Sequence, residues 1–327
     1  MVDNKQQWKA WLYLAPTIIL LLVFTIWPII NTVKLAFLED YELFVEIGWE
    51  DEGQYYGEEY PFQFGLGNFV KVLTDEHPVT GFLQILKNTM LLCFLTVPLS
   101  TFIALVIAVS LNSIKFLNRT LQTIYFLPYV TNSIAIGMVF AAMFSMTTIK
   151  QTNGESFVKT AGVINNILGL FNVAPIDWIG EKSTYMANIT VMVIYIVWNA
   201  LPFKILILLG GLQSVNKQYY DAAKVDGTSK IRTFTRITVP LLSPMIAYVV
   251  ITGFIGGFKE YTSIVGIFGE SMTPVHYNHS LKTMVGYIYD YISDYQGRAS
   301  AAALILFVII FAVTLVNLKI SNKNTQY

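Results

Sequence analysis

Six stretches of this chain are apolar for longer than a globular core element needs: Leu12–Phe37, Leu86–Leu111, Leu121–Ser145, Met186–Leu212, Leu242–Phe268 and Ala299–Leu318. Crossing the hydrocarbon core of a bilayer takes about 20 residues of helix. Within lipid the backbone must satisfy its own hydrogen bonds, which leaves only helices and closed barrels. Barrel strands need only ~10 residues of alternating pattern, so the runs are read as helices. The expected fold class is an all-α membrane protein with about six transmembrane helices. Hydrophobic residues make up 54% and charged residues 13%, the balance of a chain solvated mainly by lipid. Pro98, Pro128 and Pro202 fall inside spans, where neighbouring helices can satisfy the freed groups. The first stretch is a poor signal peptide: it is too long, contains Pro16 and Pro28, and lacks a small-residue cleavage site.

Net charge is zero, but the charges are sorted. One set of connecting segments carries Lys5, Lys9, Lys115, Arg119, Lys217, Lys224, Lys230, Arg232, Arg236, Lys319 and Lys323. The opposite set includes Glu39–Glu76, with eleven acids and Lys71 as its one base. Basic loops stay on the cytoplasmic side, so both termini are expected there. The organisation that follows is a cytoplasmic N-terminus (1–11), a first transmembrane helix (12–37), an extracellular acidic segment (38–85), a core with five transmembrane helices (86–319) and a cytoplasmic tail (320–327). The core contains a basic cytoplasmic loop at 213–241.

Other chemistry is thin. Cys93, the one cysteine, can form no intrachain disulfide. His276 and His279 have no nearby cysteine or acid cluster to complete a metal site and are read as polar outer-loop residues. Val163–Val173 is apolar but too short to span, so it is expected at the interface or against the bundle. No Gly-Lys pair supports a phosphate-binding loop and no G-x-S-x-G elbow is present. The chain is not expected to be an enzyme or to hydrolyse ATP.

The basic loop carries Tyr220-Asp221-Ala222-Ala223-Lys224-Val225-Asp226-Gly227, and ten residues after the glycine comes Ile237-Thr238-Val239-Pro240. Gln218–Lys224 can form a short helix whose Ala222 and Ala223 let a partner surface approach closely. Gly227 permits the positive φ of a sharp turn, Thr228 or Ser229 can cap a second helix, and Pro240 suits a first helical turn. A plain helix-turn-helix connector shares these features. The full pattern, however, resembles the EAA loop of ABC importer permeases, with Asp221 in place of the usual glutamate and Val239 in place of the usual leucine. Leu14-Ala15-Pro16, Leu66-Gly67-Asn68-Phe69, Phe126-Leu127-Pro128-Tyr129, Leu201-Pro202-Phe203 and Pro240-Leu241-Leu242-Ser243-Pro244 are similar to the carbohydrate-uptake (maltose-type) branch. The likeness covers nearly all of 10–320 except the acidic segment.

That resemblance implies a maltose-type permease fold in the bacterial plasma membrane. It implies that Asp221, Ala222, Ala223, Asp226, Gly227, Ile237 and Pro240 dock an ATPase. It also implies a second homologous permease, two ATPase subunits that bind ATP and Mg, and an extracellular solute-binding protein. No cofactor in this chain and no nucleic acid are implied. The function expected is translocation of an oligosaccharide, charged or acidic cargo included. An ion-coupled secondary transporter is the rival reading; it leaves the loop unexplained, and no inverted repeat is visible.

Charges inside spans are costly and mark functional positions. Lys34 and Lys204 lie near enough to helix ends to snorkel, which for Lys204 competes evenly with function. Lys259 and Glu260 sit nearer mid-span. Gly253, Gly256, Gly257, Glu260 and Ile264 share one helix face, so the glycines there provide either close helix packing or room for a ligand. Family resemblance aligns the sugar site with Gly253, Gly256, Gly257 and Glu260, and with Ile196, Ala200 and Phe203 on the fourth span. Several of these positions differ from the family's side chains. Tyr195, Trp198 and Tyr261 offer faces for sugar rings or packing filler, and Asn199 offers an amide. The candidate substrate set is therefore Tyr195, Trp198, Asn199, Phe203, Lys204, Gly253, Gly257, Lys259, Glu260 and Tyr261.

Overall fold

The computed structural model describes residues 7–39, 63–78, 80–114, 118–150, 156–272 and 280–324. Most of the acidic segment, His276 and His279 lie outside them. Among the described residues, four helices are long and apolar enough to cross a membrane: Trp11–Phe37, Phe82–Ser113, Tyr185–Ser214 and Gln296–Ser321. Two bent pairs, Thr123–Val130 with Ser133–Phe144 and Lys230–Leu241 with Ser243–Phe258, bring the number to six if each is one span. The all-α reading holds for every span. A small hairpin is added outside them, with β1 (Met146–Lys150) antiparallel to β2 (Ser156–Ala161). It is followed by the short helix Val163–Leu170.

Two stretches expected as single helices are broken. The third turns by 104° between Val130 and Ser133. Pro128 supplies no N–H within the 3₁₀ turn Leu127–Val130. Asn132 then opens a new helix by accepting from the N–H groups of Ile134 and Ala135 at 2.9 and 3.3 Å. The fifth stretch runs as helix Ser243–Phe258 and resumes as Thr262–Phe268 after three residues out of register. Gly256 and Gly257 weaken the end of the first piece. The Glu260 carboxylate accepts from the Ser263 N–H at 3.3 Å, at the start of the second. Pro98 and Pro202, by contrast, sit inside unbroken helices.

The chain divides into two compact units. One comprises Met1–Glu76 and Tyr287–Leu306. Here Asn68, buried in the helix Gly67–Leu73, donates to the carbonyls of Ala36 and Leu38 at 3.3 and 2.9 Å, tying that helix to the end of the first span. The Arg298 guanidinium meets Asp75 at 2.5 Å, donates to the Tyr287 hydroxyl at 2.7 Å and lies 4.1 Å from the Tyr291 ring. Burial pushes the Tyr287 phenol upward despite the nearby arginine, so it stays a donor to Asp75 at 3.2 Å.

The other unit, His77–Gly286 with Phe307–Tyr327, holds two apolar cores. Leu92, Phe140, Phe144, Met192, Tyr195 and Ile264 anchor one. Ala104, Ala108, Leu208, Leu212, Leu242 and Val249 anchor the other. In the helices Phe82–Ser113 and Tyr185–Ser214 the two cores occupy opposite ends, leaving the middle of each helix for something else.

Candidate functional site: a mid-helix cavity and a capped loop

Between the two cores lies a cavity of about 360 Å³. Val97, in its wall, is the sixteenth of the 32 residues of Phe82–Ser113; Asn199, also in its wall, is the fifteenth of the 30 residues of Tyr185–Ser214. Thr96 and Ser100 come from the first of these helices. Tyr129 and Ser133 come from the bend of the third span. Ile196, Ala200, Phe203 and Lys204 come from the fourth. Val249, Thr252, Gly253, Gly256, Gly257 and Glu260 complete the wall from the fifth.

Of the ten substrate-set residues read from the sequence, Asn199, Phe203, Lys204, Gly253, Gly257 and Glu260 meet at this cavity. The other four are placed elsewhere. Tyr195 is fully buried; its hydroxyl donates to the Ser133 carbonyl at 2.7 Å and its ring meets Phe140 edge-on. Trp198 packs against Phe140, with ring centroids 5.2 Å apart. Tyr261 packs against the apolar core and Lys259 is exposed. Phe203 stacks on Tyr129 at 5.8 Å with 17° between the rings, giving the cavity one flat aromatic wall.

Lys204 does not snorkel. It is 4% exposed, and its ammonium donates to Ser100 Oγ at 2.7 Å, Thr101 Oγ1 at 2.9 Å and the Val97 carbonyl at 3.1 Å. The two hydroxyls can accept because their own hydrogens go to the Thr96 and Val97 carbonyls. All three ammonium donors are thus matched by oxygens of one neighbouring helix. The sequence signal for this was the hydroxyl-bearing group Thr96, Ser100 and Thr101 in the apolar middle of the second span, polar at helical spacing and not singled out from the sequence. Tyr129, Ser133, Val249 and Thr252 carried no comparable signal.

The glycines of the fifth span divide their labour. A Cβ on Gly257 would meet Cys93 Sγ at 2.8 Å, and one on Gly253 would meet Val97 at 3.0 Å and the Lys204 ammonium at 3.2 Å. These two permit close packing. At Gly256 an added Cβ meets nothing within 4 Å, so that position opens onto the cavity.

The basic loop forms the helix Lys217–Val225, capped by Asn216, whose side chain accepts from the Gln218 N–H at 3.0 Å. It ends in a Schellman turn: the Thr228 N–H bonds the Ala223 carbonyl at 2.9 Å and the Gly227 N–H bonds Lys224 at 3.1 Å. Gly227 takes φ +65°, the left-handed conformation that glycine adopts without penalty. Ser229 caps the next short helix, Lys230–Thr233. A five-residue π-helix containing Ile237 follows, and Pro240 enters at the first turn of Val239–Leu241. Asp221, Ala222 and Asp226 are exposed and Ala223 is buried. Val225 and Ile231 are 88% and 78% exposed, apolar side chains held outward on a fully capped scaffold.

Residues 97–324 match the family described as "Binding-protein-dependent transport system inner membrane component". The chain is 28% identical over 312 residues to the lactose transport system permease protein LacF of Rhizobium radiobacter, covering 94% of this chain and 91% of that protein. It is 29% identical over 317 residues to the arabinooligosaccharides transport system permease protein AraP of Bacillus subtilis, covering 96% and 88%. Its fold is similar to a chain of a bacterial ABC transporter involved in the import of the acidic polysaccharide alginate. There the TM-score is 0.73 at 21% identity, over 99% of this chain and 98% of that one. The family match spans well over half of the sequence and the fold agrees along its whole length. The chain is a multi-pass membrane protein and belongs to the binding-protein-dependent transport system inner membrane component family.

Proposed function

We propose that this chain is the permease subunit of an ATP-driven importer and moves an oligosaccharide through the membrane. One observation carries the reading: a polar and aromatic cavity lies at the midpoint of two long apolar helices, flanked by an apolar core on either side. A carboxylate and an amide can bond sugar hydroxyls, the carboxylate through short charge-assisted bonds, and the stacked pair Tyr129–Phe203 suits the apolar face of a sugar ring. The relatives' names, lactose and arabino-oligosaccharide permeases among them, favour a saccharide cargo.

The assembly that fits is a second homologous permease, two ATPase subunits that bind ATP and Mg, and an extracellular binding protein that delivers the cargo. A related transporter is described in complex with an alginate pentasaccharide-bound periplasmic protein. The ATPases would dock on the loop around Asp221–Pro240, where exposed Val225 and Ile231 offer apolar contact and the Schellman turn resists bending. Closure of the ATPases then moves the loop as a rigid lever, and the two permeases rock the cavity from one membrane face to the other. With that loop and both termini on the cytoplasmic side, the basic segments obey the positive-inside rule.

The test uses the assembled complex in proteoliposomes, with lactose, arabino-oligosaccharide, maltose and alginate oligosaccharide as separate cargoes. Glu260→Gln should leave assembly and ATP hydrolysis intact and slow uptake several-fold or change the preference among the four. Import of none of them by the native complex would overturn the saccharide reading. Native rates and preference in the Gln variant would remove Glu260 from the site.

A further inference from the structure

The fifth span breaks at one of its cavity residues, Glu260, and the break leaves a bond unmade. In a continuous helix the Glu260 carbonyl would accept from the Ile264 N–H. Here the N–H groups of Ile264 and Val265 both turn to the Tyr261 carbonyl, each at 3.1 Å. The Glu260 carbonyl is instead taken by a residue far along the chain: Thr283 Oγ1 donates to it at 2.7 Å. Thr283 is fully buried and does not line the cavity.

Thr283 is itself held. It lies in the strap Ser280–Thr283, which leads into the helix Met284–Tyr291 and is clamped to the Phe82 end of the second span. Asn88 donates to the Ser280 and Lys282 carbonyls at 2.8 and 3.0 Å. Its own carbonyl oxygen is fixed by Gln84 Nε2 at 3.0 Å and the Tyr185 hydroxyl at 2.8 Å. The Met284 N–H donates to Thr89 Oγ1 at 3.0 Å, and the Leu281 N–H to the Met272 carbonyl at 3.0 Å. Asn88, Ser280, Leu281, Thr283 and Met284 are all at zero exposure. A buried network in which every member is bonded is rigid and specific. Through Thr283 it bonds the broken backbone at Glu260, a residue that lines the cavity.

We propose that Thr283 is a positioning residue for cargo recognition: its hydroxyl holds the orphaned Glu260 carbonyl, so the clamped strap sets where the Glu260 carboxylate points. The proposal rests on the reading of Glu260 as a cargo contact. Without the hydroxyl the backbone at 260 can rotate, and the carboxylate leaves the geometry that sugar hydroxyls require. Position then costs affinity without any contact of Thr283 with cargo, as second-layer residues do at other sites.

The experiment is a double-mutant cycle in the reconstituted complex, with uptake of whichever of the four cargoes the native complex imports fastest. Thr283→Val should assemble and raise the half-saturating concentration of loaded binding protein about fivefold, the size of one net hydrogen bond. Thr283→Ser should restore native uptake. In the Glu260→Gln background, Thr283→Val should add no more than a small further loss, because coupled residues are not additive. Native uptake by Thr283→Val, or full additivity with Glu260→Gln, overturns the proposal while leaving Glu260 as a cargo contact. Native uptake by Glu260→Gln alone overturns the reading on which it rests. Should Val prevent assembly, Thr283→Ala replaces it; failure of both to assemble while Ser does assigns the hydroxyl to folding and overturns the positioning role.

Discussion

Gly227 is the residue at which the chain's local chemistry is most sharply constrained. With φ +65°, a β-branched side chain is strained by about 1–3 kcal/mol, although an added Cβ meets no neighbour within 4 Å. The fault would therefore be conformational, not steric. Gly227→Val should insert normally but misdirect the helix after Ser229; co-purification should show weakened ATPase retention, and uptake should be lost. This conformation was legible in the sequence because an Asp-Gly turn followed by a capping serine specifies it within a few residues. Lys204 shows the opposite case. Its three acceptors lie more than a hundred residues away, on the second span, and no local pattern announces such a pairing. Tyr195, Trp198 and Tyr261 illustrate a third limit. Composition places aromatics near the cavity, but helical phase decides whether a ring faces it or the core, and a phase error of one residue turns a side chain by about 100°.

Among the elements, length was easier to read than continuity. The second, fourth and sixth helices extend a few residues past the expected apolar runs, because polar ends continue a helix that hydropathy no longer marks. The breaks in the third and fifth stretches were missed for one physical reason: apolar residues satisfy lipid on both sides of a kink, so the hydropathy signal passes through it unchanged. The fifth element also yields a clean contrast. Gly256→Leu projects into open cavity and should assemble at native yield while blocking uptake. Gly257→Leu forces a side chain against Cys93 and should cost about 1–3 kcal/mol in overpacking, seen as lost complex on size exclusion. Equal behaviour of the two variants would refute the division between packing and cavity glycines.

At the scale of the whole molecule, orientation is the property to measure. Ser229→Cys in the basic loop should react only with thiol reagents admitted to the cytoplasm, and Lys182→Cys in the segment after the hairpin only from outside; reversed labelling would invert the topology. The native background is quiet, since Cys93 is fully buried. Helix length carries a consequence of another kind. At ~1.5 Å per residue the 32 residues of Phe82–Ser113 reach about 48 Å, against a hydrocarbon core of about 30 Å. The cavity at that helix's midpoint thus lies about 24 Å from either tip; the polar ends reach beyond the hydrocarbon, and the apolar run Leu86–Leu111, about 39 Å long, is accommodated by tilt or by a thicker surrounding bilayer. Transport should therefore respond to lipid acyl length: uptake in proteoliposomes of graded chain length should peak in longer-chain lipids and fall in short ones. A flat profile would mean that the helix bundle fixes its own tilt whatever the thickness of its host.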